Sequence, residues 1–200
     1  MGRITKVETQ KKNTERVSVF LDDEFFCGLD AVAALKHAIK VGAEVDEDRL
    51  RDAIYDSEVS SAFEKCMRQI DMRPRTRQEL EKYLIGKEYG EGVIDAAIQK
   101  LQSYNYIDDL EFAKIYIESY KKRWGRLKIE YMLKNKGIEP DILQEAFLEF
   151  KCQTNEAHKL LIKHTGFKEF NKQKAYAHLI QKGFDTDTIK QAISLIEEEQ

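Results

Sequence analysis

Residues 135–147 read NKGIEPDILQEAF, and residues 181–193 read QKGFDTDTIKQAI. With Lys136 set on Lys182 and no gap, Leu133 falls on Leu179, Gly137 on Gly183, Ile138 on Phe184, Leu143 on Ile189 and Ala146 on Ala192. A third copy lies upstream at Lys87, where Leu84, Tyr89, Ile94, Ala97 and Ile98 take the same places. The offsets are 49 residues (136 minus 87) and 46 residues (182 minus 136). A repeat of this period is the mark of stacked helical units.

The second copy shows how one unit is built. Ile129, Met132 and Leu133, spaced i, i+3, i+4, give a helix one apolar face. Gly137 stands where that helix stops, because glycine takes the left-handed conformation of a C-terminal cap. Pro140 suits the first position of the next helix, whose N–H needs no partner, and Asp141 meets the positive end of its dipole. Ile142, Leu143, Ala146, Phe147 and Phe150 form the next stripe. Asp185 and Asp187 take the capping roles in the third copy, whereas Glu88 replaces the glycine in the first, so that turn should differ slightly. A helix precedes each copy. Its stripe is Ala62, Cys66, Met67 and Ile70 in the first, Phe112, Tyr116 and Tyr120 in the second, and Ala157, Leu160, Leu161 and His164 in the third. The expectation is three tandem three-helix bundles, residues 58–105, 106–151 and 152–200, stacked into an elongated, curved array because each touches only its neighbours.

Residues 1–57 differ in kind. Val17, Val19 and Leu21 alternate with polar or outward residues, a strand pattern. Asp22-Asp23 reads as a hairpin turn with Glu24–Cys27 returning, and residues 4–10 read as a third strand. Helical stretches are expected over about 30–40 and 46–57, around a turn at Gly42. The fold class is therefore mostly α, with a small N-terminal β-hairpin and helix segment.

Composition narrows the function. The chain is 42% hydrophobic and 34% charged with two prolines, as suits a helix-rich protein with real cores. No apolar run approaches the ~20 residues of a membrane span, and MGRITKVETQ is too polar for a secretory signal, so the cytoplasm is expected. Cys27, Cys66 and Cys152 form no C-x-x-C pair and complete no zinc spacing with histidine, so reduced structural thiols and no metal or cofactor are expected. Motifs for nucleotide phosphates, zinc hydrolysis or a nucleophilic serine are missing, which argues against an enzyme. The four histidines read as structural; His178 takes the stripe position of Tyr83 and Met132. Asp108-Asp109 has the look of paired catalytic carboxylates, but it stands where a helix begins and reads as capping.

Charge is uneven. Residues 1–58 carry 9 basic and 13 acidic side chains, residues 59–136 carry 16 and 12, and residues 137–200 carry 8 and 11. A polyanion would meet the middle. Two stretches stand out there. In RPRTRQELEKYL (73–84), Thr76 and Glu79 form a capping box, and Arg73, Arg75 and Arg77 flank a helix start whose N–H groups would favour phosphate, with Lys82 one turn on. In YKKRWGRLK (120–128), Lys121, Lys122, Arg123, Arg126 and Lys128 surround Trp124, a mixture that suits single-stranded nucleic acid, although Trp124 itself reads first as packing that seals the joint between helices, with the charge around it as the functional part. Lys82, Lys87, Lys134 and Lys136 are weaker candidates.

RPRTRQELEKYLIGKEY (73–89), VIDAAIQKLQSYNYIDDLEFAKIYIESY (93–120) and GRLKIEYMLKNKGI (125–138), preceded by ITKVE (4–8) and RVSVFLDDEFFCGLD (16–30), resemble the RecX family, bacterial regulators of the RecA recombinase. The likeness covers nearly the whole chain. Asp22-Asp23 departs from the family's Asp-Gly turn, and Asn105 from its glycine. The resemblance implies a non-enzymatic protein that binds RecA and lodges in the groove of its filament on single-stranded DNA; a monomer is expected, though no residue marks the oligomeric state. It would thereby restrain ATP hydrolysis and strand exchange in DNA repair and the SOS response. Rival readings are a double-stranded DNA repressor built on helix-turn-helix units and a protein scaffold; no single helix gathers the Arg, Asn and Gln that read base edges.

Overall fold

The computed structural model describes residues 2–165 and 171–198, without the side chains of residues 164 and 165. The expectation for His164 therefore lies outside the described residues. The chain divides into two compact units, Met1–Arg75 with Leu80–Ile107, and Thr76–Glu79 with Asp108–Gln200.

The first unit opens with an antiparallel sheet of β1 (Gly2–Gln10), β2 (Asn13–Leu21), β3 (Glu24–Asp30) and β4 (Glu44–Val45), in the order β3-β2-β1-β4. Asp22 and Asp23 both take positive φ, 47° and 68°, as a two-residue hairpin requires. Ile4, Val19, Leu29 and Val45 bury one sheet face against Leu50 and Ala53. The helix expected over 30–40 is only α1 (Ala31–Lys36), capped by the Asp30 carboxylate, which accepts from the N–H groups of Val32 and Ala33. It stops where Ala38 turns left-handed at φ 48°. Strand β4 has too few residues for any pattern to announce it.

One expectation fails here. The boundary placed between residues 57 and 58 falls inside α2, a single helix of 26 residues from Glu47 to Met72. Its first half covers the sheet through Leu50 and Ala53, and Ser57 accepts the Asp30 N–H at 2.7 Å. Its second half supplies Ala62 and Cys66 to the first repeat. From Ala43 to Arg73 the chain holds no glycine or proline, so nothing local ends the helix. With α3 (Arg77–Ile85) and α4 (Glu91–Ser103), that second half forms the first three-helix core.

The second unit holds two further bundles. The helices α5 (Asp109–Tyr120), α6 (Arg126–Lys134) and α7 (Pro140–Ala146) pack around Ile117, Ile129, Leu133 and Phe147. The helices α8 (Thr154–Thr165), α9 (Lys172–Gln181) and α10 (Thr186–Glu198) pack around Leu161, Leu179, Phe184 and Ile193.

All three repeats close their middle turn with the same two hydrogen bonds. Tyr89, Ile138 and Phe184 donate N–H to Leu84, Leu133 and Leu179, and the residue before each donates to Ile85, Lys134 and Ile180. That preceding residue is left-handed in every copy, with φ of 62° at Glu88, 82° at Gly137 and 81° at Gly183. The first turn thus keeps the geometry of the others, and Glu88 carries it at a steric cost of about 1–2 kcal/mol that glycine avoids.

Replacing Glu88 by Gly should therefore raise the thermal midpoint. Gly137→Ala should lower it, because a Cβ there would come within 2.4 Å of Gln78 as well as meet the strained φ. Thermal unfolding followed by circular dichroism checks both, and matching signs for the two variants would refute the shared-turn account.

Candidate nucleic-acid interface

The second basic stretch is held by the repeat joints. In the second unit, the left-handed turn of one repeat sits on the start of the preceding repeat's second helix. Gly137 meets Gln78 in the first turn of α3, where the buried Thr76 hydroxyl donates to the Lys136 carbonyl at 2.6 Å. One repeat further on, Gly125 donates its N–H to the Lys182 carbonyl at 2.9 Å, and Leu127 donates to Gly183 at 3.0 Å. A Cβ on Gly125 would lie 2.2 Å from the Gly183 carbonyl oxygen, so only glycine allows the approach.

Side chains from the next repeat cap these helix starts. Asp108 caps its own helix, accepting from Glu111, but Asp109 reaches across to accept the Arg77 N–H at 2.9 Å. Gln153 does the equivalent work for α6. Its carboxamide accepts from the Arg126 N–H and donates to the carbonyls of Lys121 and Trp124, and it is buried. The loop 121–125 is thereby pinned.

On that platform three cations converge on the half-buried Trp124 ring. Lys182 Nζ stands 4.3 Å from its centroid, Arg123 at 5.3 Å and Lys128 at 6.0 Å. Lys128 also lies over the exposed Tyr131, and Leu127 beside it is exposed. Each such contact is worth about 0.5–1 kcal/mol at an exposed site. Trp124 packs at the edge of the second repeat's core as well, so the packing role and the cationic surroundings coincide. Lys182 is the member that sequence reasoning missed. Its signal was its register with Lys136, immediately before the docking glycine.

The other predicted residues go elsewhere. Lys122 is exposed and makes no ion pair among the described residues. Lys121 pairs with Glu118 at 2.6 Å, and Arg126 turns over the Phe147 ring at 5.0 Å. Lys134 pairs with Glu130, and Lys136 pairs with Glu79 at 3.0 Å while lying over Phe112 and Tyr116. Burial, Tyr120 and the Glu79 carboxylate together push the Tyr116 hydroxyl above its usual range.

The phosphate site expected at the start of α3 is a correction. Asp109 takes the Arg77 N–H, and the Thr76 hydroxyl oxygen takes that of Glu79, so these donors face carboxylate and hydroxyl from the protein itself. Arg77 remains exposed in the second unit. In the first unit, Arg75 folds onto Gln69, donating to its carbonyl and its side-chain oxygen, and Arg73 donates to the Pro74 carbonyl. Lys82 is exposed, and Lys87 lies over Tyr83.

Among the described residues no group of acidic, histidine or cysteine side chains is arranged to hold a metal ion, and no helix is long and apolar enough to cross a membrane. The thiols are unpaired but differ in setting. Burial pushes Cys66 up to about 11, whereas hydrogen bonding to Thr154 lowers the pKa of the exposed Cys152.

This architecture has known counterparts. Models of the regulatory protein RecX N-terminal domain and of the first and second RecX three-helix domains match residues 2–46, 62–101 and 108–146. The regulatory protein RecX of Bacillus subtilis (strain 168) is 38% identical over the whole of this chain and 79% of its own length. The chain belongs to the RecX family. The RecX of Clostridium beijerinckii is 33% identical over 98% of this chain and 96% of its own length. A RecX crystal structure superposes with a TM-score of 0.78 over 97% of this chain and all of its own, at 22% identity, and that of RecX from Lactobacillus salivarius with 0.65 over 70% and 97%, at 23%. The two solved structures speak for the RecX fold. The matched RecX segments leave out residues 47–61, the half of α2 that carries the sheet into the first repeat.

Gln153→Leu should take the partner from one N–H and two carbonyls at a part-buried joint, costing at most roughly 1–3 kcal/mol each. Trp124 is the chain's single tryptophan and reports directly on the loop. A lowered thermal midpoint with red-shifted emission is expected; an unchanged midpoint and spectrum would show that Gln153 does not hold the platform.

Proposed function

We propose that this chain binds RecA and its nucleoprotein filament on single-stranded DNA, occupies the filament groove, and restrains ATP hydrolysis and strand exchange. Family membership supports a regulatory rather than catalytic role, and the reading places the protein in the cytoplasm, where the recombinase works. The observation that carries the DNA side is the gathering of Arg123, Lys128 and Lys182 around Trp124, with Lys122 exposed on the same pinned loop. Charge there would follow a phosphate backbone, while Tyr131 and the tryptophan edge offer apolar contact to unstacked bases. Arg73, Arg75, Arg77 and Lys82 act as secondary contacts to the filament in this reading, and Lys121 and Arg126 as flanking ones.

The joint replacement of Lys122, Arg123, Lys128 and Lys182 by Glu tests it. Inhibition of RecA-promoted ATP hydrolysis on single-stranded DNA should be lost with the helical circular dichroism signal unchanged. If all four cations meet phosphates, the log–log salt slope of binding should fall by about 3, at ~0.7 per contact. Full inhibition by the folded variant would assign the filament to another face.

A further inference from the structure

In the first and second repeats a shallow groove lies between the second and third helices, at matching positions. In the first repeat it is lined by Glu81, Ile85, Tyr89, Glu91, Ile94 and Asp95, with a volume of about 360 Å³. Shifted by 49 residues, those positions become Glu130, Lys134, Ile138, Pro140, Leu143 and Gln144, and all but Ile138 line the corresponding groove of the second repeat, about 170 Å³. Shifted by a further 46, they become Tyr176, Ile180, Phe184, Thr186, Ile189 and Lys190.

Between the first two repeats the groove recurs but its chemistry does not. The second repeat's only carboxylate in this set, Glu130, is already paired with Lys134. The third repeat's set has none. The first repeat carries Glu81, Glu91 and Asp95 around the groove and adds Glu88 in the turn at its end. Glu88, Glu91 and Asp95 are all exposed and make no ion pair among the described residues. Two nearby cations are directed at tyrosines: Lys65 donates to the Tyr89 hydroxyl at 2.7 Å, and Lys87 lies over the Tyr83 ring. Between the carboxylates the floor is apolar, and Ile85 is 62% exposed where the second repeat has a lysine.

An aliphatic side chain left in water beside the exposed carboxylates of Glu88, Glu91 and Asp95 suits a ligand that is itself aliphatic and cationic. We propose that the α3–α4 groove of the first repeat docks a segment of a partner protein in which a Leu or Ile is flanked by Lys or Arg. The aliphatic group seats on Ile85 and Ile94, and the cations meet Glu88, Glu91 and Asp95. This inference stands apart from the DNA reading, since it uses neither Trp124 nor any of the cations around it.

The probe is a labelled hexapeptide, Lys-Arg-Leu-Ile-Arg-Lys, titrated against the full chain by fluorescence anisotropy. Two further peptides serve as comparisons: one with Ser-Ser at the centre, and one with Glu at the four outer positions. The first should bind at least tenfold more tightly than either. Glu91→Lys with Asp95→Lys, and separately the uncharged change Ile85→Ser, should each weaken it at least tenfold. Gln144→Lys, at the equivalent place in the second repeat, should not. Equal binding of the Ser-Ser peptide would reduce the groove to general electrostatics and overturn the proposal, as would unaltered binding by Ile85→Ser. Sedimentation equilibrium supplies the last outcome: a self-dimer abolished by Ile85→Ser would make the occupant a second copy of the chain and overturn it too. Retention of RecA inhibition by the groove variants would leave the DNA reading intact, so the two can fail separately.

Discussion

Close approach at a left-handed turn, of Gly183 to the backbone of Gly125 and of Lys136-Gly137 to the side chains of Thr76 and Gln78, is the constraint on which the second unit depends. A turn that reverses a helix in three residues must place one residue at positive φ, and in two of the three repeats that residue is glycine. The missing side chain then serves twice. It relieves the turn, and it opens the room into which the preceding repeat's helix start is pressed, with the Lys136 and Lys182 carbonyls receiving hydrogen bonds there. A small bundle buries too little on its own to be secure; joining backbones in this way lets neighbours share a boundary without bulky contacts.

The same joints decide which charges face solvent. A helix start ordinarily attracts anions, yet those of α3 and α6 are satisfied by Asp109 and Gln153 from the following repeat. What remains for an external polyanion is side-chain charge held by aromatic faces and by pinned loops. Part of the positive character of the middle of the chain is therefore expressed through lysines and arginines that lie over rings, a softer arrangement than a nest of backbone amides. Those side chains can leave a ring for a phosphate without breaking the fold.

Much of this was legible from residue spacing. The repeat period, the turn glycines, the Asp22-Asp23 hairpin and the proline at the start of α7 each report a local backbone demand, and local demands leave marks on sequence. The long-range features left weaker ones. Nothing in the spacing of Gln153 announces that it will bind three backbone groups on another repeat. Asp109 is recognisable as a cap, but the helix it caps lies 32 residues upstream. Arg75 resembles its neighbours in a basic run until Gln69 is seen to hold it. Lys182 was in view as a register mark, and only the docking of its turn on Gly125 shows it beside Trp124. Charge composition locates a region; partner geometry decides which of its members are available.

The uninterrupted course of α2 has a consequence for how the protein can be taken apart. At about 39 Å it is a rigid strut whose amino half belongs to a sheet and whose carboxyl half belongs to a bundle. A fragment beginning at residue 58 would start in mid-helix, with a fresh set of unmet amide groups and without the Ser57 hydroxyl that receives Asp30. The sheet and the first bundle are thus a single cooperative block, to be expressed, swapped between relatives or deleted together, whereas the natural place for the gene engineer's scissors lies further along the chain.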